Sequence, residues 1–271
     1  MKIAVIILNY YKRCVIIIKE RKEWEEMRYP IDLHIHTSAN PHAYSTLEEN
    51  IRSAREKNMK VIAITNHGPA LQDSPHWWSL VNMRVIPEYV DNLRILKGVE
   101  TNIIDENGNF DINQRIYDVM DIILCGLHTV EAYGDPSNII KNTKAVINMI
   151  KSQKIDIMVH LGNPQFPLDY EMVIKEATKC GVAIELNNSS LKASRKGSEI
   201  NCRKILELCK EYGTKVALGT DSHISYDIGE FAEVQKLIED VGYPVEKIIN
   251  YSVENLEKFL EERKETRVER I

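Results

Sequence analysis

Seven of the eight histidines fall at, or just past, the ends of short apolar runs rich in β-branched residues: His34, His36, His42, His67, His128, His160 and His223. Two carboxylates occupy the same kind of position, Glu100 in Lys97-Gly98-Val99-Glu100 and Asp221 in Gly219-Thr220-Asp221-Ser222-His223. Imidazole nitrogens and carboxylate oxygens are the ligands of zinc, iron and manganese. Such ions usually take three or four protein ligands and keep a position for water, so nine groups imply two or three ions with a bridging carboxylate. The spacing His34-x-His36 suits this purpose, because alternate residues of a strand point to the same side and can share one metal. A single histidine at a strand end is ordinarily structural; the coincidence of seven with two carboxylates calls for a metal cluster.

The elements that must bring these residues together are legible in the hydrophobic periodicity. Seven β-rich runs are predicted, at Ile31–His36, Lys60–Thr65, Arg94–Glu100, Asp121–Gly126, Asp156–His160, Ala183–Asn187 and Lys215–Gly219. Between them lie helix-period segments at Thr46–Lys57, Ser137–Lys151, Asp169–Cys180, Ser198–Glu211 and Gly229–Val241, several opened by a capping Ser, Thr or Asp, and Ser252–Arg263 reads as a charged closing helix. This alternation is that of βα units around a parallel sheet. In a β/α barrel the C-terminal strand ends converge on one face, which would make neighbours of residues far apart in the chain. Asn107-Gly108 is a hairpin-turn signal, so the third unit is expected to make a small β excursion after Glu100.

The whole chain has 271 residues, enough for one barrel domain, and a formal charge of −5 from 35 basic and 40 acidic residues. Nothing in that balance draws in nucleic acid or an anionic membrane, so a stable nucleic-acid partner is not expected. Five cysteines, an odd number with no C-x-x-C pair, fit a reducing cytoplasm. Cys202 and Cys209, seven apart on a predicted helix, read as two core positions on one face. Residues 1–18 are apolar but interrupted by Asn9 to Arg13, too broken for a membrane span and without a cleavage site. The chemistry begins at Ile31, close to a second methionine, Met27. Residues 1–26 are therefore read as a dispensable extension or a misassigned start, and residues 27–271 as a single catalytic domain.

The motifs, in order, carry a family resemblance. Asp32-Leu33-His34-Ile35-His36-Thr37 resembles the D-x-H-x-H-T opening of the PHP (polymerase and histidinol phosphatase) superfamily. His42-Ala43-Tyr44-Ser45, Asn66-His67-Gly68, Gly98-Val99-Glu100, Gly126-Leu127-His128, His160-Leu161-Gly162-Asn163 and Asp221-Ser222-His223 follow in that family's order. Asn187-Asn188-Ser189-Ser190 and Ser194 to Glu199 look most like the stand-alone bacterial YcdX-like phosphatases. The resemblance runs from about Tyr29 to Leu260 and implies a distorted seven-stranded (β/α)7 TIM-like barrel with three divalent ions, zinc first and manganese or iron as alternatives, at the C-terminal strand ends. It implies that His34, His36, Glu100 and Asp221 hold one ion, that Glu100 bridges to a second held by His128 and His160, and that His42, His67 and His223 hold the third. The chain departs from the family pattern at Asn66, where Asp is common, and at Leu161, where Pro is common.

Phosphate ester hydrolysis needs an activated hydroxide, an in-line leaving group and positive charge around the phosphoryl oxygens, all of which a metal cluster provides. The expected reaction is hydrolysis of small phosphomonoesters by a metal-bound hydroxide, with Glu100, Asp221 and His223 as catalytic residues and no serine nucleophile, since no G-x-S-x-G elbow occurs. Arg195 and Lys196, after the sixth strand, and Asn188 beside them suit phosphate oxygens; His76, in Pro75-His76-Trp77-Trp78, could line the substrate mouth. A nuclease or phosphodiesterase would use the same metals but would show a basic, aromatic-lined groove, and no compact basic cluster beyond Arg195-Lys196 stands beside these motifs. Histidinol phosphate remains one of several admissible small substrates. A non-catalytic relative would have lost ligands, whereas all nine are present.

Overall fold

The computed structural model describes residues 29–192 and 194–268, so the reading of residues 1–26 as an extension, and Cys14 with it, lies outside the described residues. Each of the seven predicted runs forms a strand: β1 (Ile31–Ile35), β2 (Val61–Ile64), β4 (Leu93–Asn102), β5 (Ile122–Gly126), β6 (Ile157–Met158), β7 (Ala183–Asn187) and β8 (Val216–Gly219). These run parallel, side by side in chain order, and β3 (Tyr89–Val90) is a short antiparallel ribbon on β4. The architecture is the distorted seven-stranded barrel that the resemblance implies.

No ladder joins β1 to β8, and two devices close that seam. At the C-terminal end Ile35 and Ser222 form a bridge, in which His36 N donates to Ser222 O at 2.9 Å. Lower down, Asn250 stands in for a strand. Its amide nitrogen donates to Ile31 O at 2.8 Å and Leu218 O at 2.9 Å, while its amide oxygen accepts from Leu218 N at 2.7 Å. Buried backbone groups that a regular ladder would have paired are satisfied by one side chain.

The helices are α1 (Leu47–Glu56), α2 (Trp77–Val81), α3 (Gln114–Tyr117), α4 (Ile139–Ser152), α5 (Tyr170–Cys180), α6 (Asn188–Lys192), α7 (Ser198–Tyr212), α8 (Ala232–Val241) and α9 (Val253–Val268). Of the capping residues read from the sequence, Thr46 forms a reciprocal capping box with Glu49 and Asp169 accepts from Met172 N, whereas α4 is capped by Asn138 rather than Ser137 and α7 begins after Gly197 with no side-chain cap. Both Cys202 and Cys209 are buried on α7. The short helices α2, α3 and α6 were not expected, and α6 takes in Asn188, Ser189 and Ser190. The Asn107-Gly108 excursion shrinks to a turn with a single antiparallel bridge, Ile103 to Phe110.

Strand alternation sorts the core into two layers. Ile31, Leu33, Val61, Ala63, Leu96, Ile122, Leu124, Ile157, Val159, Ala183 and Ala217 fill the barrel together with Leu256 and Phe259 of α9, which plugs its N-terminal end. The intervening residues, such as Ile62, Ile95, Ile123, Ile184 and Leu218, pack outward against the helices. Arg263 of α9 fastens the plug, donating to Gln153 O, Ile155 O and Cys180 O and lying 3.4 Å from Asp156 Oδ1.

Candidate active site

Followed upward, the inward register of each strand changes from aliphatic to polar. On β2 it runs Val61, Ala63, Thr65 to His67; on β4, Leu96, Gly98 to Glu100; on β5, Ile122, Leu124, Gly126 to His128; on β8, Ala217, Gly219, Asp221 to His223. Two strands reach the site by breaking their alternation. The ladder of β1 with β2 is irregular between Asp32 and Ile35, and across that irregularity Leu33 faces the barrel while Ile35 faces the helices. Such a bulge re-aims side chains, here His34 and His36. On β6 the break is at His160, whose φ of 38° is left-handed, as is the φ of 54° at Asp221. Non-glycine residues in that region are strained and collect at functional sites.

Glu100 lies at the centre of the arrangement and is 1% exposed. Its Oε1 stands 2.7 Å from His160 Nε2 and 3.0 Å from His128 Nε2. Its Oε2 stands 2.9 Å from His67 Nδ1, 3.2 Å from His34 Nε2 and 3.4 Å from His36 Nε2. One carboxylate thus offers each oxygen to a different group of imidazoles, the disposition of a bridging ligand. Asp221 Oδ1 lies 3.2 Å from His36 Nε2, 3.6 Å from His223 Nδ1 and 3.7 Å from His34 Nε2. His42 closes the outer side, with its ring centroid 4.6 Å from that of His223 and 5.3 Å from that of His67. Three overlapping groups have donor atoms within 4.8 Å of one another: His34, His36 and Asp221; His67, Glu100 and His128; His36, His67 and His223. Gly126 makes room for the second group, since a Cβ there would stand 2.6 Å from His160 Cε1 and 3.0 Å from His128 Cε1.

The donor set fits cations. Buried polar atoms are normally paired, yet His34 Nε2, both ring nitrogens of His36, His42 Nδ1, His67 Nδ1, His128 Nδ1 and Glu100 Oε2 are buried without a hydrogen-bond partner among the described residues. Burial lowers the His36 imidazole to about 3 and that of His160 to about 4, which keeps both rings neutral. Burial raises the carboxyl of Glu100, but His34, His67 and His128 outweigh it and hold it well below the usual carboxylate range. Asp221 is held low in the same way, chiefly by His34 and Arg195 against its burial. Ionised carboxylates among unpaired imidazole nitrogens are a cavity for positive charge.

The other predicted residues are distributed less evenly. Arg195 reaches the cluster: Nη1 donates to Asp221 Oδ2 at 3.0 Å and to Ser190 Oγ at 3.0 Å, while Nη2 and Nε have no partner among the described residues. Lys196 is exposed. His76 is exposed and caps α2, its Nδ1 accepting from Trp78 N at 3.3 Å. Asn188 is placed differently from expectation, because its Oδ1 accepts from Glu233 N and Val234 N at the start of α8 and so serves the scaffold. Asn66 braces the first loop, its side chain accepting from Thr37 N at 2.9 Å and donating to Thr37 Oγ1 at 3.0 Å, and Leu161 is buried in the outer core.

Sequence reasoning missed Glu185. It is 5% exposed on β7, with Oε1 2.6 Å from His34 Nδ1 and Oε2 accepting from His160 N at 2.9 Å. The available signal was its register: two positions after inward-facing Ala183, a carboxylate must point into the barrel.

Comparison with known proteins agrees with this geometry. The PHP domain family profile matches residues 32–269. The chain is 45% identical over 235 residues to "Probable phosphatase YcdX" of Escherichia coli O127:H6, covering 87% of this chain and 95% of that protein. It is 44% identical over 237 residues to "Probable phosphatase Shewana3_2794" of Shewanella sp. ANA-3, covering 88% and 93%. Among solved structures, the histidinol phosphate phosphatase of Lactococcus lactis, complexed with zinc, L-histidinol and phosphate, matches with a TM-score of 0.57 at 14% identity, over 80% of this chain and 95% of that one. A chain of an archaeal ribonuclease P with mature tRNA matches with a TM-score of 0.52 at 18% identity, over 87% and 91%. Both structural likenesses concern the fold alone. No helix among the described residues is long and apolar enough to cross a membrane. With a barrel whose strand ends gather histidines around Glu100, and with relatives this similar over nearly their full length, the chain belongs to the PHP domain family and is a hydrolase of its phosphatase kind.

Proposed function

We propose that the protein hydrolyses small phosphomonoesters with three divalent ions, zinc first among them. The observation that carries this reading is Glu100, which offers one oxygen to His128 and His160 and the other to His34, His36 and His67. His34, His36 and Asp221 would hold one ion with Glu100, His128 and His160 a second, and His42, His67 and His223 a third. Ions bound there lower the pKa of water and neutralise phosphoryl charge. Zinc takes precedence because the donors are mostly imidazole and because zinc is present in the Lactococcus lactis histidinol phosphate phosphatase structure.

The chain's own residues do the remainder. Glu100, Asp221 and His223 would form the catalytic set, holding the ions that would activate water and take up phosphoryl charge. His223 donates from Nδ1 to Asp221 O at 2.9 Å, which leaves Nε2 as its ligating atom. Arg195 keeps Nη2 and Nε available beside Asp221, a fork suited to two phosphoryl oxygens. A small phosphorylated metabolite, rather than a nucleic acid, suits the net charge of −5.

The test is a panel of phosphomonoesters and phosphodiesters assayed with metal content measured in parallel. Monoester hydrolysis that disappears on chelation is expected. Fully metallated protein inactive on every phosphate ester would overturn the proposal, and a preference for diesters would shift it to a phosphodiesterase.

A further inference from the structure

Glu185 is a buried carboxylate that belongs to none of the three candidate metal groups, yet it reaches across the barrel. It stands on β7, and His34 stands on β1, with β8 between them in the barrel wall. The crossing is possible because the intervening inward position of β8 is Gly219. A Cβ there would stand 2.1 Å from Glu185 Oε1 and 2.5 Å from His34 Cβ. Through that gap Oε1 lies 2.6 Å from His34 Nδ1. On its other side Oε2 accepts from the backbone nitrogen of His160 at 2.9 Å, at the residue whose left-handed φ of 38° turns its ring into the site. Asn187 Nδ2 then links Glu185 Oε2, at 3.1 Å, to Asp221 Oδ2, at 3.2 Å.

We propose that Glu185 is the positioning residue of the metal centre, fixing His34 with Nε2 toward the ion and holding the backbone of His160 in its turned conformation. With Nδ1–H donated to the carboxylate, Nε2 is the only ring nitrogen of His34 left to ligate, and the anionic partner makes it a better donor. One side chain thereby serves ligands of two different ions, His34 and His160. The proposal rests on the metal reading above and adds the residue that arranges it.

The test uses the full-length protein and zinc alone. Nitrogen-15 NMR of the zinc-loaded wild type is expected to show His34 protonated at Nδ1 and metallated at Nε2; zinc on Nδ1 would overturn the proposal. Glu185→Gln, equal in size but uncharged, is expected to bind zinc about tenfold to a hundredfold more weakly in competition with a chromophoric chelator. Affinity unchanged in Glu185→Gln, beside a wild type that binds zinc, sinks this proposal and leaves the metal reading intact. A wild type that binds no zinc sinks both. Should Glu185→Gln not fold, Gly219→Ala keeps the carboxylate but drives it off His34, and it is expected to lose affinity in the same range; wild-type affinity in Gly219→Ala would also count against Glu185.

Discussion

The guanidinium of Arg195 donates through Nη1 to Asp221 Oδ2 at 3.0 Å, on the side of that carboxylate turned away from the imidazoles. The contact divides Asp221 between two tasks, Oδ1 towards His36 and Oδ2 towards Arg195. Arg195→Ala at saturating metal is expected to lower kcat/KM roughly tenfold to a hundredfold, the worth of a charge-assisted hydrogen bond to phosphate. Arg195→Lys, which keeps the charge and loses the fork, is expected to recover only part of the rate. Steady-state kinetics with metal analysis on each variant checks this; an unchanged kcat/KM in Arg195→Ala removes it from substrate binding.

Glu100→Gln removes the charge that both groups of imidazoles share. The amide has one acceptor oxygen where the carboxylate had two, so it cannot serve both sides. The expected result is fewer ions bound per chain and a rate lower by about a hundredfold or more, with far-UV circular dichroism unchanged. A variant with full metal content and full rate would show that Glu100 is not the bridge.

Metal removal should register in stability as well as in rate. A ligand that binds only the folded chain stabilises it by about 2.7 kcal/mol at a hundred times its Kd, roughly 5–10 °C in Tm for a domain of this size. Thermal melts of chelated protein, repeated after adding zinc, are expected to differ by that amount. Coincident melts would mean that the fold does not hold the ion.

At the opposite end of the barrel, Arg263 and Arg267 flank buried Asp156, Arg267 Nη1 standing 3.1 Å from Oδ2. Burial raises the Asp156 carboxyl, and the two guanidinium groups partly offset that shift. Arg263→Met leaves the carboxylate with only Arg267 and the Ile123 backbone N–H, and removes the guanidinium donor from three carbonyl oxygens. A loss of about 3 kcal/mol is expected in denaturant melts, with kcat unaltered well below the transition because the plug is remote from the metal face. A variant as stable as the wild type would make α9 an ornament rather than a fastening.

The strands and most of the candidate ligands were legible because alternation and position act locally: an inward register that is aliphatic below and polar above is visible within any one run. What escaped was long-range. The partner of Glu185 on His34 is 151 residues away, and that of Asn188 on Glu233 is 45 away, so nothing near either residue distinguishes a strut or a helix cap from a substrate contact. The irregularity in β1 and the left-handed turn at His160 were equally hidden. Both look like ordinary strand in sequence, and both are settled by packing against a neighbour the local pattern does not name.

The seam between β1 and β8 sets an order of events. His34 and His36 sit on the first strand and Asp221 just past the last, and the two meet only when Ser222 engages His36 and Asn250 engages Ile31. Contacts so distant along the chain form late, after the loop-closure entropy of the whole barrel has been met. The full set of candidate ligands therefore exists only once nearly the entire chain has been made.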